Sequence, residues 1–523
     1  MFDVYKFLNL RYDTKETLFM ETRTKLISFA FLKRQRELER YAHQTERIQK
    51  DQLYELIHLA RNTEWGQMYD YSNIENYTSF ANRVPLQDYD GLKPYILRML
   101  SGQQNILWPS DIRWFAKSSG TTNDKSKFIP VSQEALSQCH YQGGWDSVAV
   151  YLKNNPNSAI FSGKSLILGG SHKPDALSDS IHSGDLSAVL IQNINPLIEL
   201  IRVPSKEIAL MDEWEAKLEA MVEATMDEDI TNLSGVPSWF LVLIKKIMDR
   251  KGVKSLLDVW PNLEVFFHGG ISFDPYREQY KAIIPSHKMH YVETYNASEG
   301  FFGVQDDFND KSMLLLLDVG VFYEFIAMDE FGNPDAKVIP LWEVELNKNY
   351  AMVISTNSGL WRYLIGDTVK FTQANPYKFV ITGRTKHYIN AFGEELMVGN
   401  AEKAIAQTCL QTGALISNYT VAPTYMADNK KGRHTWLIEF EKQPAQLDAF
   451  AQQLDQNLQR VNSDYEAKRY KGLFLDPLEI VVARPALFHD WLKQKGKLGG
   501  QHKIPRLSNS REYLEELILL NTR

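Results

Sequence analysis

Five short segments of this 523-residue chain carry side chains that could act together on a nucleotide. Ser118-Ser119-Gly120-Thr121-Thr122 sets small hydroxyl residues around a glycine, and Lys127 follows in Ser126-Lys127-Phe128. Such a loop turns sharply, and its N–H groups and hydroxyls can wrap phosphate oxygens. A Ser/Thr-rich turn between strands is the plainer reading. Val292–Gly300 follows a predicted strand, so it would sit at a strand's C-terminal end, where ligands collect in open α/β sheets. There Glu299 could hold Mg²⁺, a hard cation that takes one or two carboxylates plus phosphate oxygens. Tyr295 could stack on a base. The alternative is a capped turn with a solvated glutamate.

The third segment is Gly359–Asp367, where Asp367 after Gly366 is placed to accept two ribose hydroxyls. The fourth, Gly383-Arg384-Thr385-Lys386, begins 16 residues further on. The fifth, Gly499-Gly500-Gln501-His502-Lys503, couples a flexible glycine pair to a lysine that could be delivered into a distant site. Each is also compatible with an ordinary turn. Two further segments imitate known motifs. Ser162-Gly163-Lys164-Ser165 resembles the end of a Walker loop, but Ser158 stands where that loop needs its first glycine. Asn296-Ala297-Ser298-Glu299-Gly300 lacks one glycine of the G-x-S-x-G nucleophile elbow. A hydrolase built on Ser298 would also need a later acid and a histidine, for which His434 and His502 are available.

The elements around these segments read as α/β. Residues 15–63 predict helix, with Leu18, Phe29, Leu32, Leu38, Leu53, Leu56, Ile57 and Leu59 among charged residues as a packing layer. Residues 110–131 predict strand, glycine loop, strand. From about 160 to 370, short apolar strands such as Ser165–Gly169, Leu263–Phe267 and Ala351–Thr356 alternate with helical stretches such as Trp214–Met226 and Trp239–Arg250. That alternation predicts a largely parallel sheet. Beyond residue 384 the pattern restarts as α+β, with helices near 399–412 and 444–467 and strands near 418–422, 434–441 and 478–483.

Composition bounds the rest. The chain is 44% hydrophobic and 24% charged, enough apolar material for two or three cores. A net charge of -7 without a Lys/Arg block argues against nucleic-acid binding. The two cysteines, Cys139 and Cys409, offer neither a disulfide framework nor metal spacing and fit a reducing cytoplasm. The N-terminal stretch does not read as a signal peptide. No run of about 18 uncharged apolar residues predicts a membrane span.

The order of the segments is more informative than any one of them. Phosphate loop, strand-end Ser-Glu, ribose Asp, hinge-like Gly-Arg and late lysine follow one another as in the adenylate-forming superfamily. The wording is closer to one branch: Ser118–Thr122 with Lys127-Phe128-Ile129-Pro130, Ser298-Glu299-Gly300, Leu360-Trp361-Arg362-Tyr363 with Gly366-Asp367, and Gln501-His502-Lys503-Ile504-Pro505-Arg506. On these segments, across about residues 55 to 510, the chain resembles the auxin-responsive acyl acid amido synthetase family. Leu107-Trp108-Pro109 and Trp114–Lys117 are similar to its non-plant members. The hinge Gly383–His387 looks more like the general superfamily, and the acid-pocket residues do not match the plant enzymes, so no plant hormone substrate is implied.

The resemblance implies a large N-terminal α/β domain, residues 1–383, binding ATP and an acid. A smaller mobile α+β domain, residues 384–523, follows. It implies a ligase that adenylates a carboxylic acid, using ATP and Mg²⁺, and passes the acyl group to the amine of an amino acid. Lys503, Glu299 and Arg384 form the implied catalytic set, with Glu299 the metal ligand. Ser118, Ser119, Gly120, Thr121, Thr122, Lys127, Gly269, Gly270, Tyr295, Ser298, Asp367 and Lys386 form the nucleotide site. Gly269 and Gly270 would lie flat against adenine. CoA as acceptor is the nearest alternative, and a Ser298 hydrolase the one from another class. A cytoplasmic monomer or weak homodimer, with neither nucleic acid nor membrane as partner, completes the expectation.

Overall fold

The computed structural model describes residues 16–119, 126–168, 175–176, 180–211, 213–271, 273–385, 388–425, 431–470, 475–495 and 505–522. A twelve-stranded sheet organises the first three quarters of the chain. Five strands at one side are parallel, in the order Arg202–Val203, Lys164–Ile167, Ile230–Gly235, Val265–His268, His290–Ala297. The intervals between the last three hold the helices Pro237–Lys251 and Asp274–Ile283, which supply the crossovers that parallel pairing requires.

The sheet then reverses. Gly300–Gln305 folds back antiparallel on His290–Ala297, with only Ser298 and Glu299 between them. Met313–Leu315, Tyr377–Arg384, Tyr363–Ala374, Asn349–Thr356, Val321–Ala327 and Val338–Pro340 extend it, each antiparallel to its neighbour. The expectation of a largely parallel sheet is therefore corrected. A parallel return needs a dozen or more residues of crossover, and the connections after Ala297 are mostly too short for one. Both faces are covered: Val265 and Phe267 join one apolar core, while Phe266 between them joins another.

Glu16–Glu39 and Tyr41–Ala60 are helices, as expected. Leu38, Leu53, Leu56 and Ile57 are buried, whereas Phe29, Leu32 and Leu59 face outward. The buried stripe of the first helix runs through Phe31, Arg34 and Leu38 instead. Arg34 is held inside by Asp146 (2.7 Å) and Asp318 (2.6 Å), the pairing that a buried cation requires.

From Tyr388 onward the chain builds a second sheet of Leu415–Thr424, Arg433–Lys442 and Glu479–Ala483. Its own core includes Phe392, Trp436, Phe450 and Leu454. The helix expected over 444–467 is two, Leu447–Val461 and Ser463–Arg469. Asn462 is extended between them, and its side chain accepts from Tyr465 N at 2.7 Å. An asparagine competing for backbone donors in this way ends one helix and caps the next. Among the described residues no helix is long and apolar enough to cross a membrane.

Candidate active site

Two hairpins and one strand end converge on a cleft of about 420 Å³. The hairpin of Tyr363–Ala374 and Tyr377–Arg384 places Asp367 directly opposite Arg384, and Arg384 Nε donates to Asp367 Oδ1 at 2.6 Å. Gly366 before this aspartate has φ +93°, a backbone that side chains avoid. Tyr295, on the strand His290–Ala297, donates its hydroxyl to the other oxygen, Asp367 Oδ2. The carboxylate is thus fixed by a cation on one side and a phenol on the other.

The second hairpin presents Ser298 and Glu299 at its two-residue turn. Burial pushes the Glu299 carboxyl up to about 7, against the pull of Lys127 and Arg384 and with help from Asp367 and Glu395. Among the described residues its carboxylate accepts no hydrogen bond. The strand Trp114–Ser119 brings Ser118 to the same cleft. Gly269 lies so close to the next strand that an added Cβ would stand 2.4 Å from the Thr294 carbonyl oxygen, and Gly270 has φ +81°. This crossing is a flat backbone floor beside the cleft.

Ser118, Gly270, Tyr295, Ser298, Glu299, Asp367 and Arg384 all line the cleft. Lys127 stands over the Tyr89 ring, 5.7 Å from its centroid, and acts on Glu299 through its charge. Gly120, Thr121, Thr122, Lys386 and Lys503 lie outside the described residues, and of Ser119 only the backbone is described, paired with Ser126. The stacking expected of Tyr295 is corrected. Its ring is 7% exposed and packs edge-on against Phe302, so it supports Asp367 from beneath.

The hydrolase alternative fails on geometry. Ser298 sits in a strand–turn–strand hairpin, whereas a nucleophile elbow is strand–turn–helix. No histidine lines the cleft among the described residues. His434 is buried on Glu394 at 2.8 Å, and His502 lies outside the described residues. In the Walker-like segment, Lys164 Nζ donates to the Leu200 carbonyl, 2.8 Å away. Arg362 proves structural: its guanidinium grips Glu324 (2.9 Å) and the Ala81 and Val84 carbonyls (2.7 Å each).

The cleft also contains residues that sequence reasoning did not single out. Arg277, Lys311, Glu395, Asn390 and Asn509 line it, and Glu293 lies inside a segment read only for its later residues. Asn509 Oδ1 accepts from Asn390 N at 2.8 Å, joining the chain's last tenth to the cleft wall. The C-terminal part of the chain reaches the main sheet region through Asn390 Nδ2 on the Gly270 carbonyl (3.1 Å) and through Tyr276 OH on the Ala391 carbonyl (2.7 Å).

Three domain profiles of one family match the chain in order: the GH3 family N-terminal domain over residues 34–289, the central domain over 314–384 and the C-terminal domain over 399–512. The chain belongs to the GH3 family. Its relatives in that family include the indole-3-acetic acid-amido synthetase GH3.3 of Arabidopsis thaliana, 22% identical over 90% of this chain and 91% of that protein. Another is the 4-substituted benzoates-glutamate ligase GH3.12 of the same plant, 22% identical over 92% of this chain and 96% of its own length. Among solved structures, the AtGH3.15 acyl acid amido synthetase in complex with 2,4-DB aligns with a TM-score of 0.60 at 18% identity, covering 98% of this chain and 97% of that one. A 2-hydroxyisobutyryl-CoA ligase solved with 2-HIB-AMP and CoA aligns at 0.57 and 14% identity, over 91% and 92%. The chain thus shares its overall fold with an acyl acid amido synthetase and with a CoA ligase.

In this GH3 chain the donor set suits Mg²⁺. Among the described residues no group of three His, Cys, Asp or Glu could hold a metal alone. Glu299, whose carboxylate accepts no hydrogen bond among the described residues and which lines the cleft, could serve as one carboxylate ligand of a Mg²⁺ whose shell phosphate oxygens complete.

Proposed function

We propose that the protein adenylates a carboxylic acid with ATP, releasing pyrophosphate, and then transfers the acyl group to the amine of an amino acid. The observation that supports this reading is the convergence of Ser118, Glu299, Asp367 and Arg384 on one cleft. Asp367, pre-oriented by Arg384 and Tyr295, is matched to a ribose diol. Gly269 and Gly270 let a flat base approach the backbone. Ser118 and the residues after it hold phosphates.

A carboxylate attacking a phosphate is an anion meeting an anion. Glu299 holds Mg²⁺, which when bound offsets phosphate charge. Lys127 and Arg384 add positive potential, and Lys503 neutralises charge as the acid attacks the α-phosphate. Groups of this kind each contribute about 10²–10³ in rate, because they are oriented before charge develops. Holding both reactants in register removes a large entropic barrier as well.

The second step needs pyrophosphate out and an amine in. We place the domain division at residue 384 and assign the C-terminal domain a rotation about residues 384–386 that rebuilds the cleft between steps. Lys386→Pro would then spare one half-reaction and harm the other, whereas equal loss of both would count against the rotation. The enzyme is assigned to the cytoplasm, with small molecules as its partners.

The test is ATP–pyrophosphate exchange with a panel of aryl, indolyl and short fatty acids and no amine. Acid-dependent exchange that disappears in Glu299→Ala is the expected result. Adding amino acids or CoA one at a time then identifies the acceptor. No exchange with any acid, together with no ATP binding by calorimetry, would overturn the reading.

A further inference from the structure

The cleft has an acidic residue that adenylation does not use. Glu395 lines it from the C-terminal part of the chain, while Glu299 lines it from the main sheet. A carboxylate facing a triphosphate site is electrostatically costly, and Glu395 raises the pKa of Glu299 as a like charge does. A cation arriving during turnover would offset that cost.

The backbone holds Glu395 there deliberately. Its φ is +36°, a left-handed conformation that costs a non-glycine residue about 1–2 kcal/mol. The surrounding loop over-determines that conformation. Asn462 Nδ2 donates to the Glu395 carbonyl at 3.1 Å. Glu394, beside it, accepts from Ala391 N (3.2 Å), Phe392 N (2.6 Å) and the His434 ring (2.8 Å). One glutamate therefore anchors the loop from inside, and the next projects into the cleft with its side chain 25% exposed.

Among the described residues, Glu299, Lys468 and Arg384 bring charge to Glu395. Glu299 repels it across the cleft. Lys468 lies within its electrostatic reach, its ammonium 4.1 Å from the Trp239 ring centre. Arg384 Nη2 stands 3.9 Å away, beyond hydrogen-bond distance, while its Nε is committed to Asp367. The carboxylate is thus close to positive charge without being closed off by a direct hydrogen bond to Arg384.

We propose that Glu395 receives the ammonium group of the acceptor and takes its proton in the second half-reaction, an inference that rests on the amide-forming function proposed above. An amino acid enters as an ammonium, which has no lone pair to attack with. Glu395 accepts one proton and frees the amine. The nitrogen then attacks the acyl carbonyl carbon of the acyl-adenylate. The C–N bond forms, the bond from that carbon to the phosphate oxygen breaks, and AMP leaves with the electron pair. The second nitrogen proton passes to solvent, and the products are amide, AMP and two protons. Adenylation has no such need, because its nucleophile is already an anion.

The experiment compares Glu395→Gln and Glu395→Asp with the wild-type enzyme in three assays: acid-dependent ATP–pyrophosphate exchange, amide formation with an amino acid, and hydroxamate formation with hydroxylamine, an amine already neutral at pH 7. The expected result for Glu395→Gln is exchange retained, amide formation reduced about 10²-fold or more, as loss of a general base entails, and hydroxamate formation retained. Glu395→Asp should recover part of the amide rate. Equal loss with amino acid and hydroxylamine would overturn the assignment, as would exchange falling in step with amide formation. Absence of acid-dependent exchange in the wild-type enzyme would instead overturn the function on which the assignment rests.

Discussion

Asp367 and Arg384 stand directly opposite each other on adjacent antiparallel strands, joined by an Arg384 Nε–Asp367 Oδ1 hydrogen bond of 2.6 Å. The sixteen residues between them form a hairpin, so the acid assigned to the ribose and the residue at the proposed hinge share one bond. Movement at Arg384 would therefore be felt at the nucleotide. Asp367→Ala should weaken ATP binding by roughly 10–100-fold, the loss expected for charge-assisted bonds of about 1.5–3 kcal/mol. Calorimetric titration of ATP checks this. A double-mutant cycle with Arg384→Ala should show a coupling of about 0.5–3 kcal/mol, since the two are in contact.

Glu299 gives a pH signature. Its carboxyl, lifted by burial to about 7, must be ionised to hold a divalent cation. The kcat/KM of exchange should rise with pH and level off above about 7, and Glu299→Gln should lose about 10²–10³ in rate. A pH–rate profile of wild type and variant decides it.

Stability should move the other way. The folded state keeps the Glu299 proton where the unfolded chain has released it. The stability this contributes is fully present below the ordinary glutamate value of 4.5 and is lost as pH rises through about 7. Glu299→Gln escapes that loss, so it should melt above wild type at pH 8, with the gap closing toward pH 4.5. Thermal melts across that range test the sign.

Gly269 has no room for a side chain. Gly269→Ala would push a methyl to 2.4 Å from the Thr294 carbonyl and spread the strands that frame the base. ATP affinity should fall at least tenfold, or about 1.4 kcal/mol, while far-ultraviolet circular dichroism stays as in wild type.

Arg362 is expected to matter for folding. Removing it leaves Glu324 buried and unpaired, which costs about 3–5 kcal/mol. Arg362→Ala should lower the denaturation midpoint strongly, and any residual folded enzyme should keep its ATP affinity. Chemical denaturation followed by nucleotide titration separates the two effects.

Part of the cleft lining was legible because it is local. Ser118 and Glu299 each sit at or near a strand end, and Asp367 follows a glycine inside its strand; strand ends and glycines can both be read from short stretches of sequence. Parallel against antiparallel pairing after Ala297 was less legible, because alternation of strand and helix dominates the pattern until residue 297 and hides the hairpins that follow. Tyr295 was read as a stacking ring from its position, but its hydroxyl partner, Asp367, is 72 residues away in sequence. Arg362 lay in a recognisable segment, yet its structural role depends on Glu324, a carboxylate inside an apolar strand.

The amino-acid sequence alone determined the order of the segments assigned to phosphate, metal, ribose and hinge, and with it the family. Each such segment depends on turn chemistry and strand ends within a few residues. Only the tertiary structure decided that Asp367 is clamped between Arg384 and Tyr295, that Ser298 lies in a hairpin, and that Glu395 faces Glu299. Those relations depend on which strands and loops meet across the cleft, and contacts between residues far apart in the chain leave no periodic trace in either partner.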